Sequence, residues 1–102
     1  MSLNTPIACD LTALNPDQNE RRRVLATKLH SAIDGRRELV DGYALRLAQN
    51  RASVEELHEW TVLEGKCCPF LKFALAADGE ELWLHLTGGT GVKEFLKVEM
   101  GI

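Results

Sequence analysis

The apolar positions of this chain change period along its length, and the changes divide it into elements. Leu25, Leu29, Ala32 and Ile33 recur at three and four residues, the spacing of one helical face. Upstream, Asn15 can cap, Pro16 suits the first helical position and Asp17 complements the positive end of the helix dipole. A first helix is therefore expected from about Pro16 to Ile33, ended by Asp34-Gly35, with Arg21, Arg22, Arg23 and Lys28 on its outer face. Glu38 to Leu47 reads as a hairpin around Asp41-Gly42, a type I′ signal in which both central residues need positive φ. After that turn Tyr43, Leu45 and Leu47 point one way, Ala44 and Arg46 the other.

The second half repeats the plan. Ser53 and Glu56 form a capping box that opens a helix from Val54 to about Cys67. Its stripe is Leu57, Trp60, Thr61, Glu64, Cys67 and Cys68, and Pro69 disfavours helical geometry at Cys68. Leu71 to Ala76 alternates, Ala77-Asp78-Gly79-Glu80 turns, and Leu82 to Thr87 alternates back. Leu82, Leu84 and Leu86 share one face of that strand; Trp83, His85 and Thr87 share the other. Gly88-Gly89-Thr90-Gly91 breaks the pattern, and Val92 to about Met100 makes a last short helix with Thr90 as its cap and Val92, Phe95 and Leu96 inward. Ahead of all this, Ile7 to Leu11 can add an edge strand or lie along the core.

The order α-ββ-α-ββ-α predicts an α+β two-layer sandwich: a four-stranded antiparallel sheet with two helices on one face and an added terminal helix. It is the element order of a ferredoxin-like sandwich with the first strand moved to the end. No linker divides residues 1–102, so one domain is expected. The second sheet face lacks helical cover. Trp83, His85 and Val40 are expected to line it, which favours a ligand there or a homodimer through that face.

Composition changes this picture little. At 45% hydrophobic and 26% charged the chain is an ordinary globular one, and its net charge of −3 gives no global pull toward nucleic acid or anionic membrane. No apolar run approaches the roughly 18–20 residues of a membrane helix. Nor does the amino terminus carry a basic segment followed by an apolar one. Three cysteines cannot all pair within the chain. The expected location is the cytosol, with reduced thiols.

The chemistry concentrates at Glu64-Gly65-Lys66-Cys67-Cys68-Pro69-Phe70. Glu64 precedes Cys67 by three residues and Cys68 by four, so a carboxylate and two thiols share a helix face with Trp60 one turn back. A charge on an apolar stripe is anomalous. Glu64 needs an arginine, backbone donors, a metal or an acid–base role there. Thiolates favour soft ions, so Cys67, Cys68 and Glu64, joined by Cys9, form a candidate set for zinc, copper(I) or arsenite, or for reversible thiol oxidation. A tetrahedral zinc site would need further ligands brought in by the fold, since there is no Cys-x-x-Cys pair. A low-pKa nucleophile is disfavoured, because a helix C-terminus raises a thiol pKa. The bland alternative is that both cysteines simply pack the core.

Two weaker candidates remain. Trp60, His85 and Trp83 could line a pocket, and the amides of Gly89, Thr90 and Gly91 at a helix start could hold an anion. Neither phosphate-loop nor dinucleotide glycine spacing is present, and no Ser/His/Asp order or paired carboxylates point to hydrolysis.

Taken together, Cys9-Asp10-Leu11-Thr12-Ala13, Asp41-Gly42-Tyr43-Ala44, Glu64 with Cys67-Cys68-Pro69-Phe70, Leu82-Trp83-Leu84 and Gly91-Val92-Lys93-Glu94-Phe95-Leu96 resemble a family of small uncharacterised bacterial proteins over nearly the whole chain. The resemblance implies one compact cytosolic domain and carries no mechanism. Within these motifs, Gly65 interrupts the helix just ahead of the cysteines, at a cost of about 1 kcal/mol of helix propensity, and marks a kink or close contact.

Overall fold

The computed structural model describes residue 10 and residues 12–102. Its order is α1 (Pro16–Ala32), β1 (Ile33–Leu39), β2 (Gly42–Leu47), α2 (Val54–Cys67), β3 (Leu71–Asp78), β4 (Glu81–Gly88) and α3 (Val92–Glu99). The strands form one antiparallel sheet in the order β1-β2-β4-β3. The predicted α+β class and element order are both present. Of the expected edge strand at Ile7 to Leu11 only Asp10 is described, and it is not in a strand; the rest, Cys9 included, lies outside the described residues.

Local signals set both long helices. Asn15 accepts from the Gln18 amide at 2.8 Å while Gln18 reaches back to the Asn15 amide at 3.0 Å, and Ser53 and Glu56 repeat the arrangement on α2. Leu25, Leu29 and Ala32 of α1 and Leu57, Trp60 and Leu63 of α2 are buried with Leu45, Leu47, Leu82, Leu84 and Leu86 of the sheet. Val92, Phe95 and Leu96 join this same core from α3, where Phe95 meets Phe70 edge to face at 5.0 Å.

Four details differ from the sequence expectation. Asp34-Gly35 does not end the helix in a loop; β1 starts at once at Ile33, and a register shift between Ile33 and Gly35 absorbs Asp34 as a bulge. The first hairpin turns at Val40-Asp41, with no positive φ at any described non-glycine residue. Gly42 belongs to β2 instead, and what requires glycine there is proximity: a Cβ would sit 1.9 Å from the Leu86 carbonyl oxygen. The turn that does need positive φ is in the second hairpin, at Gly79 (φ 64°). Finally, α3 is capped at Gly91 (φ 93°) without a side-chain hydrogen bond, so Thr90 is not its cap.

Candidate thiol site at the end of helix α2

The α2 stripe carries Glu64 and Cys67 into the interior as the spacing predicts. Glu64 is 3% exposed, and Cys67 and Cys68 are fully buried. The partner of Glu64 comes from α1. Arg22 Nη1 donates to both carboxylate oxygens, at 2.9 and 3.1 Å. Burial nevertheless pushes the Glu64 carboxyl above its ordinary pKa, with the charge and hydrogen bond of Arg22 opposing it. Arg22 Nε and Trp60 Nε1 are buried and lack hydrogen-bond partners among the described residues.

Arg22 was expected on the solvated face of α1, and the structure corrects that. It lies three residues before buried Leu25, at the margin of the stripe, where its long side chain reaches across to α2. Its neighbours also face α2: Arg21 pairs with Glu59 at 2.9 Å and Lys28 with Glu56. Arg21, Arg22 and Lys28 thus fasten one helix to the other, while Arg23 pairs with Glu20 on α1 itself. The signal that would have found Arg22 is a pair of off-pattern charges of opposite sign, one at the edge of each helical stripe.

At the helix end, the Cys68 amide donates to the Glu64 carbonyl at 2.7 Å, and the Leu71 amide donates to the Cys68 carbonyl at 3.0 Å, which turns the chain into β3. The Asp10 amide donates to the Cys67 carbonyl at 2.7 Å and so sits against this turn. Cys67 is a free thiol. Burial raises its pKa, Arg22 draws it down, and Glu64 and Asp10 push it up again. The direction matches the sequence argument; the main cause is desolvation. Cys68 is disulfide-bonded, which departs from the expectation of reduced thiols.

Cys9, the remaining member of the expected set, lies outside the described residues. Among the described residues no group of three or more His, Cys, Asp or Glu side chains is placed to hold a metal ion.

The other candidates separate. Trp60 lies in the helical layer, edge to face with Phe73 at 5.6 Å. Trp83 and His85 alternate with the buried leucines of β4 and so face the opposite side of the sheet. That side has a cover of its own: the Arg37 guanidinium stacks 4.5 Å from the Trp83 ring, leaving Trp83 8% exposed, and Arg46 meets Asp34 at 2.8 Å and Glu81 at 3.5 Å. His85 is half-buried, paired across the strands with Ala44 and Ala74. Val40 is 99% exposed, at the tip of the first hairpin. Gly89, Thr90 and Gly91 are exposed, with the Val92 amide donating to the Gly89 carbonyl at 3.1 Å.

Searches of protein-family models, of curated proteins and of solved structures find no match to this chain. No helix among the described residues is long and apolar enough to cross a membrane.

Proposed function

We infer that this is a small redox-responsive thiol protein in which Cys68 cycles between a thiol and a disulfide, with Cys9 as its partner. The observation that carries the reading is the unequal state of two adjacent cysteines: Cys68 is disulfide-bonded, while Cys67 is a free and buried thiol. Cys9 is the partner by count, since the chain has three cysteines, and by position, since it precedes Asp10, whose amide is bonded to the Cys67 carbonyl. In the forward step two thiols release two protons and two electrons to a hydroperoxide or disulfide oxidant and form one S–S bond; a dithiol reductant reverses it. In the cytosol expected for this chain, a disulfide is characteristically transient and redox-sensing. Cys67 stays out of the exchange because burial holds it protonated beside the Arg22–Glu64 pair.

Once reduced, the thiols at the helix end are also the donors a soft ion would take, and the same experiment separates the two uses. Protein equilibrated in glutathione buffers of graded potential is denatured and alkylated. The count should step from three alkylated cysteines to one over a narrow range, and Cys9→Ser and Cys68→Ser should each abolish the step. Three alkylated cysteines at every potential would overturn the redox reading. Stoichiometric arsenite or copper(I) binding by that same reduced protein would then return the site to metal capture.

A further inference from the structure

The two outer strands of the sheet are protected very differently. β1 is broken by the bulge at Asp34 and carries Arg36, Arg37 and Glu38, all exposed. Bulges and charges of this kind blunt an edge against other chains. β3 has neither device in its middle. It pairs with β4 in unbroken register from Leu71 to Asp78, and among the described residues nothing pairs with its outer side. Ala74, Ala76 and Ala77 are exposed, Phe73 and Leu75 are half-buried, and no proline or glycine interrupts the run. Charge appears only toward the two ends, as exposed Lys72 and Asp78, and neither makes an ion pair among the described residues.

We propose that β3 is a homodimerisation edge, on which a second copy of this chain adds antiparallel across a two-fold axis to make one continuous eight-stranded sheet. The sequence of the strand is complementary to its own reverse. With Leu75 placed opposite the partner's Leu75, Ala74 meets the partner's Ala76, Phe73 meets the partner's Ala77, and Lys72 meets the partner's Asp78. Each pair lies on a single face, as an antiparallel ladder requires. Two symmetric Lys72–Asp78 pairs close the ends and fix the register, and Leu75 and Phe73 lose their remaining exposure. This dimer uses the strand edge and leaves the Arg37–Trp83 face free.

Sedimentation equilibrium of the full chain over a concentration series tests it, with thermal melts confirming that each variant is folded. The parent should dimerise. Lys72→Asp, which sets like charges opposite each other, should weaken the dimer at least tenfold. The charge swap Lys72→Asp with Asp78→Lys should restore it, and Ala74→Lys with Ala76→Lys should leave a folded monomer. A parent that is monomeric at every concentration overturns the proposal, as does a dimer indifferent to the alanine replacements. If that monomer nonetheless shows β3 amides protected from hydrogen exchange beyond their pairing with β4, the edge belongs to the amino-terminal segment of the same chain, and the dimer is again refuted.

Discussion

Arginine meets carboxylate on both sides of the sheet. On the helical side Arg22 donates to a Glu64 that water barely reaches. On the other side Arg46 bridges Asp34 and Glu81 in a setting where all three side chains are about half exposed. The partners are alike and the distances similar, yet their consequences diverge. Water can replace either partner of Arg46, so the pairing contributes little. Nothing replaces Arg22: without it Glu64 is an uncompensated buried charge. The buried pair therefore fixes how α1 sits against α2, and with it the environment of Cys67. The exposed pairing only links side chains along the second sheet face, where Arg46 sits across from Trp83 in register. Position relative to solvent, more than the identity of the charges, decides which arginine matters.

The largest expected effect follows directly. Arg22→Ala should destabilise the fold by about 3 kcal/mol in chemical denaturation, whereas Arg46→Ala should move the midpoint barely at all. Replacing the buried pair together, with Arg22→Met and Glu64→Leu, should recover most of that loss, because no charge is then left unpaired. Equal losses for Arg22→Ala and Arg46→Ala would erase the distinction between the two sides.

Two glycines sharpen it further. Gly42→Ala drives a Cβ to 1.9 Å from the Leu86 carbonyl oxygen, a backbone atom that cannot move without disturbing β4. The expected cost is about 2–3 kcal/mol. Gly65→Ala acts in the opposite direction. The α2 helix runs through Gly65 unbroken to Cys67, and a Cβ there would meet only the edge of Phe73, at an ordinary 3.7 Å. The kink or close contact expected at this glycine is absent, so alanine should stabilise by about 1 kcal/mol. Both values can be read from denaturant midpoints at constant slope.

The smallest effect is in the pH dependence, where the two kinds of carboxylate have opposite signs. Glu56 and Glu59 are held below the ordinary range by Lys28 and Arg21 respectively. Their contribution is present above pH 4.5 and is lost as pH falls through their lowered values. Glu64 is raised by burial, so the folded state holds its proton more tightly than the unfolded state does. Its contribution is greatest below pH 4.5 and declines as pH rises toward its folded value. Glu64→Gln should consequently gain in melting temperature relative to the parent as pH rises from 4.5. Glu59→Gln should lie below the parent above pH 4.5 and close that gap as pH falls. A parallel response from both variants would show that Glu64 is as solvated as its neighbours.

Much of this architecture was legible in the chain because local signals and hydrophobic period agreed. The capping residues Asn15 and Ser53, the stop at Pro69 and the alternation in β4 all act within a few residues of themselves. What was hidden depends on distant neighbours. Gly42 is required by the Leu86 carbonyl, which lies across the sheet on β4 rather than in the adjacent turn. The start of β1 at Ile33 follows from pairing with Leu47, against the local turn signal of Asp34-Gly35. At the site, Glu64 and Cys67 were placed correctly by helical spacing, and Glu64 was recognised as needing a partner. Periodicity within α1 could not reveal that Arg22 would be that partner, because a long side chain at the margin of a stripe can turn either way. The separation of Trp60 from Trp83 and His85, by contrast, was already implied by placing the helices on one sheet face and Trp83 with His85 on the other, and the pocket that would have joined the three conflicted with that layering.

Unequal chemistry at adjacent cysteines is what a redox role for this chain requires, and disulfide mapping decides whether it exists. Protein treated with hydrogen peroxide would be digested without reduction, and the linked peptides fragmented between Cys67 and Cys68. One cross-link is expected, from Cys9 to Cys68, removed by dithiothreitol, with Cys67 alkylated only after denaturation. A cross-link through Cys67, or rapid alkylation of Cys67 in the folded protein, would contradict it.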